Sequence, residues 1–305
     1  MKTSNQIIFL LISIILSISI GVEANNNCLK IFSIKDISLN VNRGDNRPNT
    51  KVHLQYESFD PRKPTILFLP ELDGSIDTYT AALRENKMRY LEEKYNLIRL
   101  ELFGQGKTLD MELANKDSTY SPQSQISVES QLNLILQIMR KLKLEQTHLV
   151  GFSYSADIVT LFAEKYPDKV LSLVLTAPPY RPFASKTRLN EIYLRLASIG
   201  KLETSTRNHW TEDHAYAMAS MMRGLFPEDT SDMHDTVQSV VAKGIPIQVI
   251  SPTGDTLIKP VDSDSFNRLV LENPDNRVIK INTNHKPPRQ NPEGFVDALL
   301  EAFGL

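Results

Sequence analysis

The chain has 305 residues, with 34 basic and 36 acidic side chains and a formal net charge of −2 at pH 7. A balance this close to neutral excludes the positive field that proteins use to bind nucleic acid or an anionic membrane surface. Cys28 is the only cysteine, so no disulfide can form within the chain. We therefore expect stability from a packed core, and a small neutral or acyl molecule as the ligand or substrate.

The N-terminal segment has the pattern of a secretory signal peptide. Lys2 precedes an apolar stretch at residues 7–20, and the small residue Ala24 follows. This stretch, about 14 residues long, is shorter than the roughly 20 residues that cross a bilayer as a helix. We expect cleavage after residues 1–24, export through the secretory pathway and no membrane span afterwards. An uncleaved anchor is the alternative.

From residue 29 onward, strand patterns alternate with helical patterns, which is typical of a mostly parallel sheet covered by helices. The first two runs, at residues 30–39 and 52–58, predict a hairpin at one edge. The further predicted strands are residues 65–69, 97–102, 148–152, 171–176, 246–251 and 277–281. The clearest predicted helices are residues 127–144, 156–165, 263–272 and 292–303. The prediction is one α/β domain.

Residues 180–243 interrupt this alternation with a polar, helix-rich stretch, which we interpret as an inserted helical cap. The core would then comprise residues 25–179 and 244–305. Within the cap, four apolar residues fall on one face of a helix: Met218, Met221, Met222 and Leu225. That face either lines a pocket, where methionines would accept varied acyl chains, or packs on the core.

The strongest local motif is Gly151-Phe152-Ser153-Tyr154-Ser155, which lies between a predicted strand and a predicted helix. A serine is a weak nucleophile until a tight turn exposes it beside a base. Small residues two positions before and after it allow the helix to pack close to the strand. Both flanking positions are small here, so the motif indicates a nucleophile at Ser153.

Two further residues supply the partners that a nucleophilic serine needs. Asp255 follows the strand predicted to end at residue 251, and His285 follows the strand that ends near residue 282. His285 is the only histidine after Asp255. We predict structural roles for the other histidines: His53, His148, His209, His214 and His234.

In the order serine, aspartate, histidine, these residues resemble those of the α/β-hydrolase superfamily, and the likeness covers residues 50–305. The segment Glu101-Leu102-Phe103-Gly104-Gln105-Gly106-Lys107-Thr108 is similar to the Asp-x-x-Gly-x-Gly-x-Ser turn of that family. The resemblance implies an eight-stranded sheet, Ser153 as nucleophile, His285 as base and Asp255 as the acid that orients the base. It also implies an oxyanion hole formed by the backbone N–H groups of Leu72 and Tyr154, a cap over the pocket, and no metal or organic cofactor.

The chain departs from the family pattern at two sites. Ser155 lies where the family usually has a glycine, two residues after the nucleophilic serine. Serine is small enough to keep the turn. The family usually has His-Gly at the position of Pro70-Glu71. The replacement adds a carboxylate beside the loop that must direct the Leu72 N–H group. Loss of one oxyanion donor costs on the order of 3 kcal/mol in the transition state, so a displaced loop would slow catalysis.

These observations predict a secreted carboxylesterase or lipase-like serine hydrolase that acts on a small apolar or acyl ester through an acyl-enzyme on Ser153. Amides, lactones and thioesters remain open as substrates, as does a perhydrolase or haloperoxidase-like side activity of the same triad. The alternative is a catalytically weak or inactive member that binds a small apolar ligand or a protein. The oligomeric state is not predicted.

A phosphate-binding loop is excluded, although Gly106-Lys107-Thr108 matches the end of that motif. The motif requires a glycine five residues before Gly106. That position is Glu101, whose negative charge would repel phosphate.

Overall fold

The computed structural model describes residues 35–41, 50–114, 126–182, 191, 212–226 and 231–305. The predicted signal peptide lies outside these residues, as do residues 183–190, 192–211 and 227–230 of the predicted cap. The boundaries of the signal peptide and of the cap therefore stay predictions.

The described residues form one eight-stranded sheet in the order β1-β2-β4-β3-β5-β6-β7-β8, which confirms the predicted fold class. The strands are β1 Lys35–Val41, β2 Thr50–Tyr56, β3 Thr65–Leu69, β4 Asn96–Leu100, β5 Thr147–Phe152, β6 Val170–Thr176, β7 Ile247–Pro252 and β8 Arg277–Ile281. Two antiparallel pairings, β1 with β2 and β2 with β4, occupy one edge of the sheet. All other pairings are parallel. The carboxyl ends of β3, β5, β7 and β8 therefore lie along the same side of the sheet.

Helices connect the parallel strands, as the crossover rule for such sheets requires. The α-helices with described bounds are α1 Thr80–Leu83, α2 Arg89–Lys94, α3 Gly106–Ala114, α4 Val128–Lys141, α5 Tyr154–Lys165, α6 Glu212–Leu225, α7 His234–Ala242, α8 Pro260–Val270, α9 Pro287–Gln290 and α10 Pro292–Ala302. The sequence patterns predicted α4, α5, α8 and α10. They did not predict α3, because the glycines around Gln105 favour a turn.

Hydrophobic residues fill a core on each face of the sheet. Successive residues of a strand point to opposite faces, and accordingly Leu149 belongs to one cluster and Val150 to the other. The first cluster includes the apolar face of α6, with Met221 fully buried and Leu225 only 7% exposed. That face packs on the core, which was one of the two interpretations that the sequence left open.

Within the described part of the chain, no helix is both long enough and apolar enough to cross a membrane.

Candidate active site

Ser153 lies in a strained turn between β5 and α5. Its φ of 52° and ψ of −122° place a non-glycine residue in a sparsely populated region of backbone space, at a cost of order 1–3 kcal/mol. A Cβ atom at Gly151 would come within 2.6 Å of the Ser155 carbonyl oxygen and 2.7 Å of Ala156 Cα. The strand and the helix therefore approach so closely that only glycine is accommodated at position 151, as the motif predicted.

The surrounding backbone holds this turn in place. The Ser153 N–H donates to the Thr176 carbonyl oxygen at 2.8 Å, and the Ala156 N–H donates to the Ser153 carbonyl oxygen at 2.8 Å. The first contact extends the β5–β6 ladder, and the second closes the first turn of α5. The strain at Ser153 is thus maintained by the ends of two regular elements.

Asp255 and His285 come from loops after β7 and β8, and the fold brings both to Ser153. His285 Nε2 lies 3.0 Å from Ser153 Oγ, and His285 Nδ1 lies 2.8 Å from Asp255 Oδ2. The three side chains form one hydrogen-bonded chain in which the imidazole bridges the hydroxyl and the carboxylate. This is the geometry that a general base and its orienting acid require.

Asp255 is held as a carboxylate. Its Oδ1 accepts hydrogen bonds from the N–H groups of Leu257 and Ile258, at 2.8 and 2.9 Å, while Oδ2 faces His285. Burial by itself raises the pKa of Asp255, but the hydrogen bond and charge of His285 and the two backbone N–H groups lower it below its ordinary value. The carboxylate is therefore charged at neutral pH and its direction is fixed.

The triad is sheltered from solvent but reachable. Ser153 is 7% exposed and His285 is 8% exposed. The ring of Phe152 lies 5.5 Å from the imidazole ring of His285 and supports it from the side. Partial burial strengthens the electrostatic interactions within the triad.

The two residues predicted to supply the oxyanion hole flank Ser153 from different elements. Leu72 belongs to the loop that follows β3, and Tyr154 is the first residue of α5. Among the described residues, neither backbone N–H has a hydrogen-bond acceptor. Their role in an oxyanion hole remains a prediction.

Glu71, which the sequence suggested could displace this loop, has its carboxylate buried at 2% exposure. Its Oε2 accepts a hydrogen bond from Thr78 Oγ1 at 2.7 Å. Its Oε1 lies 3.5 Å from a terminal guanidinium nitrogen of Arg289 and 3.7 Å from Lys286 Nζ. The carboxylate therefore has both a hydrogen-bond donor and cationic neighbours.

Lys286, the residue after His285, links the histidine loop to the loop after β3. Its Nζ lies 3.1 Å from Asp73 Oδ2 in addition to its contact with Glu71. Burial lowers the pKa of Lys286, but the carboxylates of Asp73 and Glu71 raise it above its ordinary value. The lysine is charged, and it connects segments that are more than 200 residues apart in the chain.

Three of the other histidines have evident structural contacts. His53 Nε2 bonds to Asp36 Oδ1, His148 Nδ1 lies 2.8 Å from Ser172 Oγ, and His234 Nδ1 lies 3.2 Å from the Tyr180 hydroxyl. Burial lowers the pKa of His148 to about 4, so this ring stays neutral. His214 is buried in α6, 3.5 Å from Asp110, and His209 lies outside the described residues.

The sequence analysis assigned no role to two residues that contact the loop after β3. Gln105 Nε2 donates to the Glu71 carbonyl oxygen at 2.8 Å, and Thr78 donates to the Glu71 side chain. The sequence gives little indication of these contacts, because Gln105 and Thr78 are ordinary polar residues in a loop and a short helix. Within the described part of the chain, no group of three or more His, Cys, Asp or Glu side chains could hold a metal ion.

Comparison with known proteins agrees with this fold. The model of the alpha/beta hydrolase fold family matches residues 85–197, which include the turn at Ser153. Many solved structures have a similar fold, and several of them are described as hydrolases or esterases. The chain therefore has the fold of the α/β hydrolases, and the family model matches it over residues 85–197.

Three solved structures illustrate this likeness. A hydrolase from Pseudomonas aeruginosa is 14% identical with a TM-score of 0.64, and the match covers 88% of this chain and 98% of that chain. A thermophilic esterase from Thermogutta terrifontis is 17% identical with a TM-score of 0.64 and the same coverage, 88% and 98%. The enol-lactonase from Burkholderia xenovorans is 15% identical with a TM-score of 0.58, covering 83% and 97%. At these identities the likeness establishes the fold. No curated protein sequence matches this chain.

Proposed function

We propose that this protein is a serine hydrolase that cleaves small apolar or acyl carboxylic esters through an acyl-enzyme on Ser153. The observation that carries the proposal is the continuous hydrogen-bonded chain from Ser153 Oγ through His285 to Asp255, at 3.0 and 2.8 Å. The strained backbone at Ser153 supports the same assignment, since strain at a serine beside a base is characteristic of a nucleophile. The esterase and enol-lactonase among the similar structures agree with acyl chemistry.

The first half of the reaction would form the acyl-enzyme. Ser153 Oγ attacks the ester carbonyl carbon while its proton passes to His285 Nε2, and the carbonyl oxygen becomes an oxyanion. Asp255 keeps the proton-donating nitrogen of His285 directed at itself and stabilises the imidazolium. When the tetrahedral intermediate collapses, the bond to the alcohol oxygen breaks and the alcohol leaves with the proton from His285.

The second half would regenerate the free enzyme. A water molecule gives a proton to His285 Nε2 as its oxygen attacks the acyl carbon. Collapse of the second intermediate breaks the bond to Ser153 Oγ, which regains the proton from His285, and the carboxylic acid is released. The residues named here supply all the proton transfers in this sequence.

We test the nucleophile and the base by labelling the full-length chain, expressed in a secreting host, with a fluorophosphonate probe. The wild type should gain one adduct on Ser153, detected by mass, and Ser153→Ala and His285→Ala should gain none. Ser172→Ala is the matched control, because Ser172 also bonds a histidine, His148, yet lies in a regular strand. Equal labelling of Ser153→Ala and the wild type would contradict the proposal.

A folded wild type that neither labels nor hydrolyses p-nitrophenyl esters would favour the alternative, an inactive member of the superfamily that binds an apolar ligand. If labelling succeeds, hydrolysis of p-nitrophenyl esters from acetate to palmitate then measures the preferred acyl length.

We also propose that the protein is exported after removal of residues 1–24. The support is the pattern of Lys2, the apolar stretch and Ala24. N-terminal sequencing of protein recovered from the medium should begin at Asn25. Protein retained in the membrane fraction with residues 1–24 intact would contradict cleavage.

A further inference from the structure

The loop between β3 and the 3₁₀ turn at Ile76–Tyr79 carries Leu72, whose N–H is one of the two donors predicted for the oxyanion hole. Its orientation depends on the peptide group it belongs to. The Glu71 carbonyl and the Leu72 N–H are part of one planar trans peptide unit and point in opposite directions. Any donor that fixes the Glu71 carbonyl oxygen therefore also fixes the direction of Leu72 N–H.

Two donors hold that carbonyl oxygen. Gln105 Nε2 donates to it at 2.8 Å and the Gly74 N–H donates at 2.9 Å. Gln105 is itself fixed, because it is 1% exposed and its Oε1 accepts the Leu102 N–H at 2.9 Å. The glutamine thus connects the loop after β4 to the peptide unit that carries Leu72 N–H.

The peptide unit between Pro70 and Glu71 is also held by side-chain hydrogen bonds. The Pro70 carbonyl oxygen accepts a hydrogen bond from Ser155 Oγ and a second, at 3.3 Å, from Gln105 Nε2. Ser155 is fully buried at the start of α5, two residues after Ser153. A glycine at this position, as in the family pattern, would have no hydroxyl to offer.

We propose that Gln105 and Ser155 are positioning residues that direct Leu72 N–H at the oxyanion. Ser155 ties the loop to the helix that carries Tyr154, so both N–H donors are fixed relative to Ser153. Without these two side chains, the Glu71 carbonyl oxygen would keep only the Gly74 N–H as a donor, and the Pro70 carbonyl oxygen would lose both of the donors named above. This inference rests on the proposed function, since it concerns the efficiency of the same site.

The test compares Gln105→Met and Ser155→Ala with the wild type in the full-length protein. Methionine keeps the length of the glutamine side chain but has no N–H to donate. Because a donor that loses its alignment stabilises the oxyanion less, we expect kcat to fall about 10-fold in each single variant. The double variant should approach the 100-fold or greater loss that follows removal of one oxyanion donor. The KM should change by less than about twofold, because the carbonyl in the ground state carries little charge to stabilise.

A second measurement separates positioning from general loss of structure. A trifluoromethyl ketone forms a tetrahedral adduct on the serine, so its inhibition constant should weaken in step with kcat. The controls are Thr160→Val and Gln248→Leu. Thr160 is a buried residue of α5 whose hydroxyl bonds the Ala156 carbonyl, and Gln248 is a buried glutamine of β7 that donates to the Asp275 carbonyl. Both controls should keep the wild-type kcat and the wild-type inhibition constant.

A folded Gln105→Met variant with wild-type kcat and inhibition constant would overturn the inference, while labelling of wild-type Ser153 would leave the proposed function intact. If Gln105→Met does not fold, the kcat and the inhibition constant of Ser155→Ala test the inference: wild-type values of both would overturn it. A wild type that neither labels nor hydrolyses esters would overturn the proposed function and this inference together.

Discussion

His285 and His53 each hydrogen-bond an aspartate, but their second ring nitrogens face different groups. His285 bonds Asp255 through Nδ1 and faces Ser153 Oγ through Nε2. His53 bonds Asp36 through Nε2, and its Nδ1 lies 3.3 Å from the Glu101 carboxylate. Both rings are at least 90% buried in side-chain terms, so burial does not distinguish them.

The two histidines differ in the group that faces the second ring nitrogen. In the His53 cluster, which consists of Asp36, His53 and Glu101, that group is the Glu101 carboxylate. Glu101 is fully buried, and its oxygens accept the N–H groups of Ile76 and Thr108 at 3.2 and 2.8 Å. The cluster joins β1, β2 and α3, and within the described residues both ring nitrogens of His53 face carboxylate oxygens. Of these two histidines, only His285 has a hydroxyl beside its second ring nitrogen, as the proposed role of a base requires.

The difference between the two histidines is tested most directly by replacing the aspartate partner of each one with asparagine. Asp255→Asn should lower kcat for a p-nitrophenyl ester by about 10⁴-fold, because the amide favours the wrong imidazole tautomer. Asp36→Asn should leave kcat within about twofold of the wild type, since His53 does not face the substrate. Steady-state kinetics on folded protein measures both. Comparable losses in the two variants would show that the His53 cluster contributes to catalysis.

Replacing each histidine with glutamine should separate stability from activity. His53→Gln leaves Asp36 and Glu101 without their shared partner and should lower the free energy of unfolding by about 1–3 kcal/mol, the usual cost of leaving a buried polar group without its hydrogen-bond partner. His285→Gln should abolish hydrolysis and change the free energy of unfolding by less than about 1 kcal/mol. Urea unfolding followed by circular dichroism gives both values. A stable His53→Gln variant would argue against a structural role for the cluster.

The smallest expected effect is on the pH dependence of stability. Burial raises the pKa values of Asp255 and Asp36, but their hydrogen bonds to His285, and to Lys107 and His53, lower both below the ordinary value. A lowered carboxyl pKa stabilises the folded state above the unfolded pKa, near pH 4, and this stability is lost as the pH falls through the folded value.

Asp255→Asn and Asp36→Asn should each reduce the loss of unfolding free energy between pH 6 and pH 3. The exposed residue Asp168 provides the control, and Asp168→Asn should follow the wild-type curve. If all three variants lose stability in parallel with the wild type, neither aspartate is stabilised by its histidine.

Most of the sheet could be predicted from local patterns. β3 and β8 match the predicted residues 65–69 and 277–281, and the helices α4, α5, α8 and α10 begin within three residues of their predicted starts. These elements are well predicted because each buries an apolar run or stripe, and that signal lies within a few consecutive residues. α3 was missed, because its glycine-rich start is typical of a turn.

The candidate site was predictable where chain order reflects position in the sheet. In parallel strands, residues after the carboxyl ends meet at one edge, so Ser153, Asp255 and His285 could be inferred from their places after β5, β7 and β8. The partners of Glu71 could not be inferred. Thr78 is close in the chain, but Arg289 lies 218 residues away, and nothing in either local sequence indicates the contact.

The amino-acid sequence by itself therefore determined the fold class, the strained serine turn and the identities of the three candidate catalytic residues. Each of these depends on periodicity or on a short motif. Only the tertiary structure decided how the loop at Pro70 and Glu71 is held, because Gln105 and Ser155 reach it from two other segments. Hydrogen bonds between such segments require distances and directions that arise only when the sheet has assembled.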